Sequence, residues 1–274
     1  MKVTAPVRID ISGGWPDSDP YRREYGGTVL NAAIDLRISA KFEGHNLITS
    51  LEQVPEASGL GTSGALRAAY ICASNLDFLN REGDFKYELI RKVHGFENEV
   101  LEQRAGFQDQ AAAIFGGVNV WFFMPSGAIT HVPVERERAQ HLQDRLTIVY
   151  TGESHLSANI HELVFGEGNY ERNIPTLNRM QELCRNMHSY MTEEKIMARL
   201  INETWDLQRG LHDSIETDRM RSLQKQLEGK YLACRATGAG GGGCMIFYHH
   251  PDVVIDVPGK IPFKFDYEGI RAEE

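Results

Sequence analysis

Apolar residues alternate or run together at Val3 to Ile11 and again at Thr28 to Phe42, with a loop rich in Gly, Pro and Asp from Ser12 to Gly27 between them. That pattern predicts two strands and an antiparallel opening. From Thr62 to Leu79 the chain is Ala-rich with no Gly beyond the first turn, and Phe85 to Gln103 repeats apolar residues at helical spacing, which predicts two successive helices. Gly117 to Met124 and Arg145 to Tyr150 return to strand-like residues, whereas Leu156 to Phe165 and much of Pro175 to Leu227 are helical in pattern. Tyr231 to Thr237 and Cys244 to Tyr248 read as strands flanking the densest glycine cluster, and Phe263 to Phe265 as a closing strand. There is no internal repeat and no low-complexity linker. The expected class is α+β in two lobes, with a sheet and helices in the first half, helices and a sheet in the second, and a ligand site between them.

Composition narrows the function. The 274 residues carry a formal net charge of −9, and the basic residues are scattered, so the chain has little electrostatic means of holding nucleic acid. Small ligands are the expected partners. The opening MKVTAPVRID lacks a basic stretch followed by an apolar core, and no apolar run is long enough to cross a bilayer, which makes a cytoplasmic location the expectation. Cys72, Cys184, Cys234 and Cys244 are widely spaced and form no CxxC pair, which suits reduced packing thiols. His249 and His250, before Pro251, read as solvated loop histidines rather than a metal pair.

Two segments satisfy G-x-G-x-x-G, namely Gly59, Gly61 and Gly64 in GLGTSGA and Gly238, Gly240 and Gly243 in GAGGGG. A dinucleotide fingerprint needs a strand before and a helix after the glycines, and an acid on the next strand. Neither segment has that context, and the P-loop and protein-kinase signatures are missing. What remains is a glycine turn at a helix N-terminus, where backbone N–H groups and the helix dipole favour an anion such as phosphate. Thr62 and Ser63 supply hydroxyls there, one able to meet Mg²⁺ while the other caps the helix; a plain N-cap fits equally well. Downstream, Glu97 on a helix and Asp109 in GFQDQ offer the two carboxylates that phosphoryl transfer uses, one for the metal and one for the hydroxyl proton. Glu97 could instead share a solvated face with Glu99 and Glu102, whereas Asp109 borders an Ala-Ala-Ala stretch that packs inside.

APVRIDISGGWPDSDPY, PEASGLGTSGAL and ATGAGGGGC, in that order, resemble the three signature motifs of the superfamily of galactokinase, homoserine kinase, mevalonate kinase and phosphomevalonate kinase, the GHMP kinases. GGWPDSDPYRREYGGTVLNAAI, GFQDQAAAIFGG, VYTGESHLSANI and PFKFDYEGIR resemble most the branch of L-fucose kinase and D-glycero-D-manno-heptose 7-phosphate kinase. The resemblance implies a ribosomal protein S5 domain 2-like lobe over residues 1–144 and a ferredoxin-like α/β lobe over 145–274. It implies a sugar kinase using ATP and Mg²⁺, with Asp109 as base and Arg8 beside it to stabilise developing charge. It implies Ser63 and Glu97 on the metal, and Gly59, Leu60, Gly61, Thr62, Ser63, Gly64, Gly238, Gly240 and Gly241 around the nucleotide phosphates. Trp15, Asp17, Asp109 and His155 are then the expected sugar contacts, with Asp17 accepting hydrogen bonds from ring hydroxyls.

The stretch between Phe42 and Gly59, which helps build the base pocket in relatives, is short here, Thr62 stands for a more usual Ser, and His155 stands where relatives often have Arg. The expected acceptor is the anomeric hydroxyl of a fucose-like free sugar. Arg22 and Arg23 after the GGWPD loop keep a heptose 7-phosphate open as the alternative, since they could receive its phosphate; as neighbours in a loop they read more simply as a solvated turn. Further alternatives are a non-sugar alcohol acceptor and a catalytically silent protein that binds ligand through the cleft.

Overall fold

Strand β1 (Lys2–Ser12) places apolar Val3, Ala5, Val7, Ile9 and Ile11 in alternation with Thr4, Arg8, Asp10 and Ser12, and all of these residues are buried. Both faces of its sheet are therefore covered, and the polar face is pressed against protein rather than water. In the computed structural model, which describes residues 1–51, 54–55, 57–81, 83–101, 105–154, 157–166 and 168–273, β1 pairs antiparallel with the long β2 (Gly27–Glu43). β2 also pairs with β3 (Asn46–Ser50) and with β4 (Val118–Phe123), which continues to β5 (Ile129–Pro133). A second antiparallel sheet has the order β7-β8-β6-β9, formed by β6 (Leu146–Tyr150), β7 (Ala233–Ala236), β8 (Cys244–Tyr248) and β9 (Lys260–Ile261). The last strand, β10 (Arg271–Glu273), pairs with β1, so the chain ends in the first sheet.

A short α1 (Tyr21–Tyr25) interrupts the first loop. Helices α2 (Thr62–Ser74), α3 (Phe85–Gly95) and α4 (Gln108–Phe115) pack on one another, and α2 and α4 lie on β1 and β2. α5 (Arg136–Gln143) leads into the second sheet, which is followed by α6 (Ser157–Phe165), α7 (Tyr170–Ser189), α8 (Glu194–Gly210) and α9 (Asp218–Gln226). α7 reaches back to β1 and β2, and α8 packs on β7. One apolar cluster lies around the first sheet, and the second gathers α6 to α9 with Trp15 and Tyr21. Among the described residues no helix is long and apolar enough to cross a membrane.

Several elements differ from the sequence pattern. The stretch from Phe85 is α3 followed by a π-helical turn at Phe96–Val100, and residues 102–104 lie outside the described set. α2 ends at Ser74 because Asn75 turns extended and its side chain accepts from the Asp77 amide, opening a separate 3-10 turn at Leu76–Asn80. Phe263 to Phe265 forms a single bridge, Ile34 to Phe265, instead of a strand. The cysteines are all buried and free. His249 is not a solvated loop residue: it is buried, its Nδ1 bonding the His250 carbonyl at 2.7 Å and its Nε2 the Thr147 hydroxyl at 3.0 Å.

Candidate active site

A cavity of about 360 Å³ opens between the loop after β1, the N-terminus of α2, the start of α4 and the second glycine turn. Its floor is set by Arg8, which the β1 alternation points inward. The backbone N–H of Arg8 donates to the Leu60 carbonyl at 2.9 Å, and its guanidinium holds Asp109 Oδ1 through Nε at 2.8 Å and Nη2 at 2.6 Å while also bonding the Gly59 carbonyl. One buried Arg thus ties the glycine turn to the carboxylate at the head of α4.

The turn itself delivers α2 without a side-chain cap. Its N-cap is Gly61, at φ +72°, and a Cβ there would lie 3.1 Å from both Arg8 Cγ and Asp109 Cγ. Neither Thr62 nor Ser63 caps the helix, contrary to the sequence expectation: a left-handed N-cap needs glycine, and Ser63 Oγ donates instead to Glu97 Oε1 at 2.9 Å. Leu60 is wholly buried, so at that position only backbone can serve a ligand.

Glu97 is buried on the π-helical turn, and the solvated face is left to Glu99. Burial pushes its carboxyl up to about 7, opposed by Arg67, reinforced by the charge of Asp109 and opposed again by the Ser63 hydrogen bond. Arg67, one turn after Ser63 on α2, bonds Ser63 Oγ and lies 3.4 Å from Glu97 Oε1. Glu97 Oε2 is buried and has no hydrogen-bond partner. An orphaned carboxylate oxygen beside a serine hydroxyl is a hard-oxygen pair of the kind that suits Mg²⁺, with waters and phosphate oxygens completing the shell. No cluster of three or more His, Cys, Asp or Glu occurs among the described residues.

At the far end, Asp17 is fully buried; its Oδ2 accepts the Phe107 and Gln108 amide protons at 2.8 and 2.9 Å, and its Oδ1 has no partner. Trp15 is 1 % exposed, and its ring packs on His161 and Phe165 of α6. Trp15 Nε1, Asp17 Oδ1, Ser18 Oγ and Gln108 Oε1 are all buried without hydrogen-bond partners on residues that line the cavity. Buried polar groups are almost always satisfied, so a donor, a hydroxyl that can donate or accept and two oxygens left over together mark a place for a polyhydroxylated ligand.

Gly238 lines the cavity and presses on the first glycine turn, since a Cβ there would meet the Gly59 carbonyl oxygen at 2.8 Å. Gly240 and Gly241 do not line it. They face Ile215 and Ile160, where a Cβ would come within 2.6 and 2.1 Å. His155 lies outside the described residues. Arg22 and Arg23 are also away from the cavity wall: Arg22 is buried, bonded to Asp19 and stacked 5.2 Å from the Phe107 ring centroid, and exposed Arg23 pairs with Asp19. Among the described residues the guanidinium groups on the wall are Arg8 and Arg67, both at the glycine-turn end.

Residues 27–117 match the profile of the GHMP kinases N terminal domain. The chain is 22 % identical to the D-glycero-alpha-D-manno-heptose 7-phosphate kinase of Campylobacter jejuni, across 99 % of this chain and 98 % of that protein. Residues 27–117 are thus similar to the N-terminal domain of the GHMP kinases. It is 24 % identical to the bifunctional fucokinase/GDP-fucose pyrophosphorylase of Arabidopsis thaliana, across 88 % of this chain but 29 % of the plant protein. Among solved structures, a D-glycero-D-manno-heptose 1-phosphate kinase from Bacteroides thetaiotaomicron superposes with a TM-score of 0.74 at 19 % identity, covering 98 % of this chain and 97 % of the other. The galactokinase of Lactococcus lactis, complexed with galactose, gives 0.65 at 17 % identity over 92 % and 86 %. These likenesses establish the α+β GHMP kinase fold.

Proposed function

We propose that this chain transfers the γ-phosphoryl group of ATP to the anomeric hydroxyl of a fucose-like free sugar. The observation that carries it is the set of unpartnered buried atoms on Trp15, Asp17, Ser18 and Gln108 in the same cavity as the Arg8–Asp109 pair. The sugar hydroxyls satisfy those atoms, which fixes the ring and aims one hydroxyl at Asp109. Asp109 accepts that hydroxyl's proton as the oxygen attacks the γ-phosphorus and its bond to the leaving phosphate oxygen breaks. Arg8 holds Asp109 in place and offsets charge building on the transferred group. The uncapped amides at the start of α2 and the backbone around Gly59 and Gly238 receive the phosphates. Ser63 and Glu97 would hold Mg²⁺, which when bound neutralises phosphate charge.

The choice of a free sugar rests on charge. The cavity end around Asp17 has no lysine or arginine among the described residues, and Arg22 is engaged elsewhere, whereas a terminal phosphate calls for guanidinium or ammonium partners. A heptose 7-phosphate is the second reading, favoured by the full-length match to the Campylobacter jejuni enzyme.

The test is a phosphotransfer screen of free sugars and heptose 7-phosphate against ATP and GTP, with the product position read by NMR. Transfer to C1 of a free 6-deoxyhexose is expected, and Asp109→Asn should lower kcat by about 10² to 10⁴ at near-normal ATP affinity. A kcat/KM strongly favouring the phosphorylated sugar would put the heptose reading first. A variant retaining more than a tenth of wild-type turnover, with chemistry rate-limiting, would remove Asp109 from the role of base.

A further inference from the structure

Arg67 stands inside the pair of residues assigned to the metal. An arginine in a helix points its side chain back toward the N-terminus, and from one turn after Ser63 it arrives at the mouth of the glycine turn, bonding Ser63 Oγ and approaching Glu97 Oε1 to 3.4 Å. Its side chain is 16 % exposed and lines the cavity. This is an unfavourable place for a cation on the helix's own account, because the start of α2 has no acid in its first turn and the positive end of the dipole lies there. Arg8, the other guanidinium on the wall, is committed through two nitrogens to Asp109. Arg67 instead reaches Ser63 and Glu97, the latter a carboxylate whose second oxygen has no partner.

We propose that Arg67 is a resident cation of the phosphate subsite: it preassembles the Ser63–Glu97 pair, balances the Glu97 charge and bonds the triphosphate directly, so that ATP binds without a divalent ion. This rests on the nucleotide reading of the cavity given above. The metal is then required for turnover far more than for capture of the nucleotide. Removing Arg67 acts twice on metal-free binding, because it deletes a charge-assisted donor and leaves the Glu97 carboxylate facing an anionic ligand.

The experiment is calorimetric titration of the whole chain with ATP, once in excess EDTA and once in excess Mg²⁺, for wild type, Arg67→Gln and Arg67→Lys. In wild type the two affinities should agree within about tenfold, whereas Arg67→Gln should lose about tenfold or more in EDTA and much less in Mg²⁺. Arg67→Lys keeps the charge and should hold most of the metal-free affinity. Wild type that binds ATP only with Mg²⁺, equal losses for Arg67→Gln in both media with its circular dichroism unchanged, or a Lys variant as weak as the Gln variant in EDTA would each overturn the proposal while leaving the kinase reading intact. If Arg67→Gln is unfolded by circular dichroism, the Lys variant decides in the same two media. Wild type that binds no ATP in either medium sinks the nucleotide reading itself.

Discussion

At Asp17 one carboxylate oxygen takes the amide protons at the start of α4 and the other is buried without a partner. Burial pushes this carboxyl up to about 8; the Gln108 amide hydrogen bond opposes the rise, the charges of Asp109 and Asp10 add to it, and the Phe107 amide opposes it. An unfolded Asp titrates near 3.8, so between these values the folded chain holds a proton that the unfolded chain has lost. The stability tied to this proton is therefore complete below about pH 4, falls as pH rises and is gone above about pH 8. Asp17→Asn keeps an acceptor for the two amides and removes the titration. It should match wild type in denaturant unfolding near pH 3.5 and be more stable at pH 8.5, by roughly a few kcal/mol. An equal difference at both pH values would show that Asp17 is charged throughout. Asp17, Trp15, Glu97 and Asp109 could be singled out because their residue types sit in motifs. Arg67 could not, since a lone cation at i+4 in an Ala-rich helix has the pattern of a solvated residue, and the π-helical turn that brings buried Glu97 to it carries no signal in the sequence. Arg22 reads as solvated for the same reason: loop residues carry no periodicity from which burial could be inferred.

Among the elements, α2 and α4 are the pair on which the site hangs, and they meet at Gly64. A Cβ at that position would lie 2.6 Å from Asp109 Cβ and 2.9 Å from the Gln110 backbone nitrogen. Neither neighbour is the far end of a flexible side chain, so Gly64→Ala must part the helices. Its helical conformation gives no positive-φ penalty to confuse the result. Overpacking of this kind costs about 1 to 3 kcal/mol. The shift should also move Asp109 relative to Arg8, and kcat should fall more than tenfold, as small misplacements do. Full activity with unchanged unfolding would show that the helices have slack there. The long elements were legible because their patterns span several turns or a whole strand: β1, β2, α2 and β8 lie where the alternation and spacing put them. The elements around them were not. β5 (ITHVP) has mostly exposed positions and α5 (RERAQHLQ) buries only Ala139 and Leu142, so neither carries enough apolar signal. β3 exists because β2 runs on past the core and needs a partner at Ser39 to Glu43.

Across the whole molecule the two sheets are joined by a buried ion pair. Asp10 of β1 and Arg235 of β7 meet at 3.0 Å with both side chains fully buried. The link continues through a hydrogen bond from Arg235 to Gln208 Oε1 at 3.0 Å, and from Gln208 Nε2 to the Gly238 carbonyl at 2.8 Å, which is the glycine on the cavity wall. The Asp10 amide also donates to the Thr237 hydroxyl at 2.7 Å. Desolvation raises the Asp10 carboxyl, and Arg235 is the main influence that lowers it. Arg235→Met therefore strands a carboxylate in the core, at a cost of about 3 to 5 kcal/mol. Its instability should worsen as pH rises, because the proton that could neutralise Asp10 is then lost. Replacing both residues, Asp10→Leu with Arg235→Met, removes the stranded charge and should recover more than half of that loss, as buried pairs exchanged for apolar residues of similar size commonly do. The recovered double variant should still have reduced kcat, because Gln208 has lost Arg235 and no longer fixes the Gly238 carbonyl against the glycine turn. The decisive comparison is unfolding free energy and kcat for the single and double variants side by side. Stability and kcat recovering together would mean that the pair only holds the lobes together, whereas stability recovering alone would assign it to aligning the second glycine turn with Arg8 and Asp109.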